Sequence, residues 1–573
     1  MTTSGGGSAT ITNLTTTQAR DDASYTAFDF TNDWYQNVDM RPILRAESGP
    51  TINGVTAVSN LNQLALMGSN LSGNYQLTKD INASNTDGSN TSGIWSPSGW
   101  VPVGSPLIPD SFNGALDGKD HSISNLTIDR SAGRFVGLFG HIRNGDFVRN
   151  IHLTNAQITG GEYVGALTGF IGDTTISNAS VSGNISGIEK VGGLVGSHSN
   201  GTITQSMSSA TVSGTEHIGG LVGNSSGTII DSSSSATVSG TYGVGGLVGF
   251  SSGTITTSSS SGAISGGENI GGLVGYQNGG SITSSKASGP VSGSLRVGGL
   301  AGALTGGTID QSFATGSVTN SGLLTGGLVG VAVSGTITRS YATGSVSGTD
   351  RVGGLVGISL FNNIDQSYAT GSVTDTGIGT WNGGLIGYSH TDTLSNSFYD
   401  MTTTGRTNAI GINYDNLSNV TRLTGLTTAQ FQNTNAFMTL AGDPATYGWD
   451  FNTIWSPPSA GYYPELYAVN PVIWADSITT NSTYGQSTGT VTTVTSHGGP
   501  ASYVFGPMPD GILLTGSTVA VDPTVSAGTT NGALVTQNVF KNSSKGQNFR
   551  VFYHGSAVQE VAKANLTVTA SFY

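Results

Sequence analysis

One six-residue phrase ending in glycine recurs ten times between residues 135 and 387, and it constrains this chain more than any other feature. Its plainest copies are Val191-Gly192-Gly193-Leu194-Val195-Gly196, then 218–223, 244–249, 270–275 and 352–357. The closing glycines are Gly140, Gly169, Gly196, Gly223, Gly249, Gly275, Gly302, Gly330, Gly357 and Gly387, on average about 27 residues apart. A period in that range marks a solenoid or an array of small repeated units.

Two further positions keep register with the phrase. Ile203, Ile229, Ile255, Ile282, Ile309, Ile337 and Ile364 are each followed three places later by serine, from Ser206 to Ser367. Nine places after each isoleucine stands a β-branched residue: Val212, Val238, Ile264, Val291, Val318, Val346 and Val373. Short β-branched segments separated by Gly or Ser-Gly predict three strands per copy with turns between them. Gly, Ser and Thr at this density disfavour helices.

Energetics then dictate how the copies are arranged. One copy buries about four aliphatic side chains at roughly 1.5–3 kcal/mol each, whereas ordering its backbone costs about 1–2 kcal/mol per residue. A single copy cannot fold alone. Stacked copies pair each strand with its equivalents about 4.8 Å above and below, which predicts an all-β fold, a parallel β-solenoid of about 27-residue coils. In it the serines are expected to run a ladder of hydroxyl hydrogen bonds inside a narrow core. Stability is then a sum over neighbouring coils, and the end coils need caps.

The chain has 573 residues, 88 of them glycine, no cysteine, 9% charged residues and a formal net charge of −13. Without a three-residue glycine period, collagen is excluded. The acidic balance and the lack of a basic stripe argue against nucleic acid and anionic membrane partners. Disulfides and thiolate metal sites are impossible. No apolar run reaches membrane-spanning length, so no membrane insertion is expected, and the first residues lack the regions of a signal peptide. The chain is expected to be part of something longer.

Order along the chain supports that expectation. Leu14-Thr15-Thr16-Thr17-Gln18-Ala19, Phe28-Asp29-Phe30 with Trp34, and Pro42-Ile43-Leu44 are matched downstream by Leu426-Thr427-Thr428-Ala429-Gln430, Trp449-Asp450-Phe451 with Trp455, and Pro464-Glu465-Leu466. Residues 1–47 are therefore expected to be the tail of a preceding module in a tandem array. Residues 48–134 are expected to form atypical first coils with a long polar insert at 82–109, and 135–400 the repeat solenoid. Residues 401–470 are expected to close the module. In 471–573 the period is lost, and alternating runs such as 490–495 and 566–570 predict a small β-sandwich.

Repeats of Gly-Gly-Leu-Val-Gly, preceded by a segment such as 112–128 and followed by Ser397-Phe398-Tyr399-Asp400 and 425–455, resemble the GLUG-motif modules of filamentous haemagglutinin-like bacterial exoproteins. The resemblance covers about residues 1–470. It implies a secreted or cell-surface adhesin of the two-partner secretion type, exported across the outer membrane by a dedicated partner transporter. Residues 471–573 are similar to the immunoglobulin-like spacer domains that follow such modules. The N-terminal secretion domain of the full-length pattern is not in this sequence.

Several residues are candidates for chemistry. Glu162, Glu189, Glu216, Glu268 and Asp350 each stand two places before a first strand, with Lys190, His217, Arg296 and Arg351 among the residues that follow them. Stacked, they form two columns on one edge. These are either a cation or carbohydrate site or a solvated corner of offsetting charges. A second column, four places after the isoleucine, becomes aromatic at Phe313, Tyr341 and Tyr368, with Phe398 in line. Such rings either bind sugar faces or cover the thin core. Asp80, Asn82, Asn85, Asp87 and Asn90 crowd one loop, but an EF-hand needs glycine where Asn85 stands. The eight histidines form no close pair at ligand spacing. No metal or cofactor is implied.

The expected function is a non-catalytic extracellular adhesin or stalk segment, serving attachment, cell aggregation or biofilm formation through glycans or matrix components. Two alternatives stand beside it. One is a polysaccharide lyase or hydrolase on the same scaffold, with Asp310 and Asp365 as its carboxyls. The other is a self-associating filament or matrix protein.

Overall fold

The structure, a computed structural model, describes residues 13–466 apart from 91, 105–110, 378–380, 415–419, 444–446, 452, 457 and 459–460, and beyond these residue 468 and strands between 472 and 562. The chain divides into two units, 1–425 and 426–573.

In the first unit the repeats stack as a parallel β-solenoid. The strand that closes each glycine phrase pairs only with its equivalents, in an eleven-stranded parallel sheet running from Phe139–Arg143 to Ile410–Asn413. The remaining strands of each coil pair with those of the next coil in the same register. Ile203 lies on Ile229, then Ile255, Ile282, Ile309, Ile337 and Ile364. Val212 begins a second such column, through Val238, Ile264, Val291, Val318 and Val346 to Val373. Both columns are buried and belong to one continuous core. Stacking like on like lets coils that bury little singly share one interior.

The serine column is present, but its bonding differs from a chain of hydroxyls. Each hydroxyl donates within its own coil to the carbonyl two residues back, as Ser285 Oγ does to Thr283 O at 2.8 Å. Each accepts from the backbone N–H one coil earlier, of Ala179 for Ser206 and of a serine thereafter, as Ser285 Oγ does from Ser258 at 3.1 Å. The pattern repeats from Ser206 to Ser397. The reason is the corner at which the serine sits. The preceding residue is left-handed in every coil, with φ of 46–49° at Gln205, Asp231, Thr257, Ser284, Gln311, Arg339, Gln366 and Asn396. A left-handed corner turns one N–H out of the strand ladder, and the hydroxyl satisfies that buried donor.

Close approach explains the glycines of the phrase. A Cβ on Gly246 would fall 2.0 Å from Ser260 Oγ and 2.1 Å from Gly272 O, so any side chain there would drive two coils apart.

The N-terminal coils join the same stack, with Val55–Val58 parallel to Asn74–Leu77 and that strand parallel to Ala115–Ser124. A helix, Leu61–Leu66, intervenes, with Asn60 accepting from the Gln63 N–H as its N-cap. The insert at 82–109 is polar in composition, yet it delivers Trp95 and Trp100 to the core, and Trp100 Nε1 donates to Leu138 O at 3.0 Å.

The resemblance between the two ends of the sequence is also structural. Thr15 and Gln18 form a reciprocal pair, Gln18 N–H to Thr15 Oγ1 at 3.3 Å and Thr15 N–H to Gln18 Oε1 at 3.0 Å. Thr427 and Gln430 repeat it at 3.3 and 2.9 Å. Phe28 stacks on Trp34 at 4.5 Å and 23°, and Trp449 stacks on Trp455 at 4.5 Å and 23°. Trp34–Tyr35 then pairs antiparallel with Ile43–Leu44, as Trp455–Ser456 does with Glu465–Leu466. The first copy is built into the start of the solenoid: Arg41 N–H donates to Ile94 O at 2.9 Å and Arg20 Nη2 to Trp95 O at 2.6 Å.

In the second unit, Val472–Thr483 pairs antiparallel with Thr488–Ser496 and parallel with Asn548–Tyr553 and Ala557–Ala562, all in one sheet. The sandwich expected for 471–573 is not confirmed: the strands described there belong to one sheet.

Candidate binding face

Most strands of the eleven-stranded sheet bury their first two residues, leave the third half-exposed and bury the fourth. In Val248–Ser251, Val248, Gly249 and Ser251 are buried and Phe250 is half-exposed. The register of that outward position runs unbroken through His141, Phe170, Ser197, Asn224, Phe250, Tyr276, Ala303, Val331, Ile358, Tyr388 and Ile412. One face of the solenoid thus carries a continuous column that is mostly aromatic or aliphatic.

A corner flanks this face. Its residues are left-handed, with φ of 51–71° at Phe135, Tyr163, Lys190, His217, Gly243, Asn269, Arg296, Leu324 and Arg351. Their backbone lies against the closing glycine of the following coil. A Cβ on Gly302 would meet Asn269 C at 2.4 Å. Rings from corner and face interleave. Phe135 stacks on Tyr163 at 4.6 Å, His141 on Phe170 at 4.5 Å, and His217 lies 5.1 Å from Phe250. Arg351 sits 4.4 Å over Trp381, and Lys190 lies 4.6 Å over Tyr163.

The predicted acidic residues line the outer edge of this corner. Glu162, Glu189 and Glu216 are in register, and the column continues through Tyr242, Glu268, Leu295 and Leu323 to Asp350. Four of the five carboxylates have a cationic partner, Arg134 with Glu162 at 2.9 Å, Lys190 with Glu189, Arg296 with Glu268 and Arg351 with Asp350 at 2.7 Å, and Glu216 lies 3.7 Å from His217, a pair charged only when that imidazole is protonated. Among the described residues no group of three or more His, Asp or Glu side chains is placed to hold a metal ion. Burial lowers the pKa of His217, while the Glu216 charge acts to raise it.

The second predicted column lies elsewhere. Phe313, Tyr341 and Tyr368 stack nearly parallel at 4.6 and 4.8 Å, with Phe398 next in register. They are 4%, 3% and 1% exposed, so their faces are not presented to solvent.

Asp310 and Asp365 do share a column position, with Thr338 between them. Asp310 accepts from Nε and Nη2 of Arg339 at 2.7 Å and from Thr338 Oγ1 at 2.8 Å, while Asp365 accepts from Ser395 Oγ at 2.8 Å and Asn396 at 2.7 Å. In the 80–90 loop, Asp80 accepts from the Ser122 N–H, a bond to a strand 42 residues on, and Asp87 accepts from the Ser89 N–H in a local turn.

Comparison with known proteins gives partial matches. The GLUG motif matches residues 266–292 and 293–319. Over 111 residues, 19% of this chain, the sequence is 41% identical to halomucin of Haloquadratum walsbyi, and over 74 residues, 12% of the chain, it is 39% identical to a Gly-rich membrane protein of Evansella cellulosilytica. These matches span 1% and 8% of the relatives' lengths. Among solved structures, one titled as an immunoglobulin A1 protease from Bacteroides ovatus aligns over 73% of this chain and 94% of its own, at 18% identity and a TM-score of 0.27. A second, titled IgA1 Protease, aligns over 49% of this chain and 21% of its own, at 17% identity and a TM-score of 0.29. Scores that low carry no argument about shape or activity.

Proposed function

We propose that the chain is a non-catalytic stalk and attachment segment, displayed outside the cell within a large haemagglutinin-like exoprotein and serving attachment, cell aggregation or biofilm formation. The observation that supports this reading is the outward column from His141 to Ile412, a half-buried aromatic and aliphatic strip held at fixed spacing along an uninterrupted solenoid. Apolar strips bordered by paired charges suit adhesion, because they offer contact area without a large field of one sign. The GLUG matches and the partial likeness to halomucin and to a membrane protein support placement at a cell surface. Export through an outer-membrane partner transporter belongs to the same proposal and rests on the sequence resemblance.

The test coats beads with the full chain and measures their retention on cells and on biofilm matrix, alongside incubation of the chain with a panel of polysaccharides. Retention with no shortening of any polymer is expected. Chain shortening that disappears in Asp310→Asn or Asp365→Asn would replace this reading with a hydrolytic one.

A further inference from the structure

Within the binding face the column carries very small side chains at two positions, Ser197 and Ala303, and the second follows directly on Tyr276. Tyr276, Ala303 and Val331 follow one another in register, so the methyl of Ala303 stands where neighbouring coils carry a phenol and an isopropyl group. The result is a groove of about 410 Å³ across the face. Its lining joins the aliphatic side chains of Leu324, Val331 and Ile358 to the hydrogen-bonding groups of Tyr242, Asn269 and Arg296. Tyr276 meets Phe250 edge-on at 5.3 Å and 88°, and its next neighbour along the column is Ala303.

Three features select the ligand. Asn269 is 1% exposed and its Oδ1 has no hydrogen-bond partner among the described residues, a state that costs free energy unless a donor reaches it. Arg296 is already paired with Glu268, so the site has little net charge to offer an anion. The groove is local, whereas a protein partner needs roughly 800 Å² of its own surface for a stable interface. A lining that joins aliphatic to hydrogen-bonding groups suits a ring with a C–H face and a hydroxyl rim, in a volume typical of small-ligand sites.

We propose that the groove over Ala303 is a subsite for a pyranose ring of a neutral polysaccharide, which packs against Tyr276 and hydrogen-bonds to Tyr242, Asn269 and Arg296. This rests on the attachment reading and specifies its ligand.

The experiment measures binding of the full chain to immobilised mannan, galactan and dextran, with alginate and hyaluronan as acidic comparators. Wild type is expected to bind at least one neutral polymer. Ala303→Phe, which fills the groove, and Arg296→Gln, which spares the packing, are each expected to weaken binding at least 10-fold. Ser345→Phe, exposed and outside the binding face, is expected to leave it unchanged. Thermal melts report whether each variant is folded. Equal binding by wild type and both variants would overturn the proposal, as would preference for the acidic polymers. Bead retention on cells with no binding to any neutral polymer would leave the attachment reading standing and remove this site. Concentration-dependent association abolished by Ala303→Phe would assign the groove to a second copy of the chain and likewise overturn the sugar assignment.

Discussion

Ser285→Ala removes the acceptor of the Ser258 N–H, while Thr283 O keeps its bond from the Thr257 N–H. One buried donor is therefore orphaned, and the expected loss is about 1–3 kcal/mol by denaturant unfolding. A loss near zero would mean the hydroxyl bridge is incidental. A second residue-scale effect is set by pH. His198 is buried, and desolvation brings its pKa down to about 4, with a backbone hydrogen bond involving Gly201 acting the other way. An unfolded chain takes up that proton near pH 6.5, whereas the folded chain resists until about pH 4. The stability contributed by neutral His198 is thus complete above pH 6.5 and lost as pH falls toward 4, by about 3 kcal/mol in total. His141 is held at about 4 by burial and the Arg143 charge, and adds to the same slope. Melting temperature followed from pH 7 to 4 is expected to fall, and His198→Gln to flatten part of that fall. The interior was legible at this scale because repetition marks it: serine recurs wherever the left-handed corner needs an acceptor. The corners themselves were hidden, since Lys190, His217, Gln311 and Arg339 are not turn-forming residues and take φ near 50° only because the stack imposes it.

At the scale of the coil, each unit contacts its neighbours and little else, so a whole coil is removable while a fraction of one is not. Ser265 lies on Ser292, so deleting residues 266–292 joins positions already in register. That variant is expected to unfold cooperatively, with a melting temperature a few degrees lower. Deleting 266–280 instead puts Ser265 before Ser281, breaks the columns, and is expected to give a chain that does not fold as a single stack. The comparison is made by circular dichroism and calorimetry. Recurring residues make the coil legible in the sequence and leave the binding face hidden. Its outward position reads Phe250, Tyr276, Ala303, Val331, Ile358, Tyr388, so nothing repeats there except the register. Repetition is enforced where side chains pack on their own equivalents, and variation is free where they face solvent or a ligand. The column Phe313, Tyr341, Tyr368 was legible as aromatic, but its burial depends on what lies over it, which no local pattern records.

Across the whole molecule, the first unit is one continuous core from Met40 to Tyr399, and the second has no repeat from which its pairing can be inferred. The N-terminal segment shares its capping pair, its aromatic stack and its short hairpin with residues 426–466. Those two segments were visible as matched sequence, whereas the integration of the first into the solenoid through Arg41 and Ile94 was not. Everything proposed for the binding face depends on equivalent positions rising by one strand spacing per coil. The chain contains no cysteine, so pairs of spin labels can be placed without removing any native thiol. Thr211, Ser317, Ser345 and Ser372 are exposed and occupy one column, the last three lying four, five and six coils from the first. Electron–electron distance measurements from Thr211→Cys to Cys at the other three positions are predicted to centre near 19, 24 and 29 Å, a rise of about 4.8 Å per coil. Distances that do not lengthen in that order, or that cluster at one value, would contradict the stack.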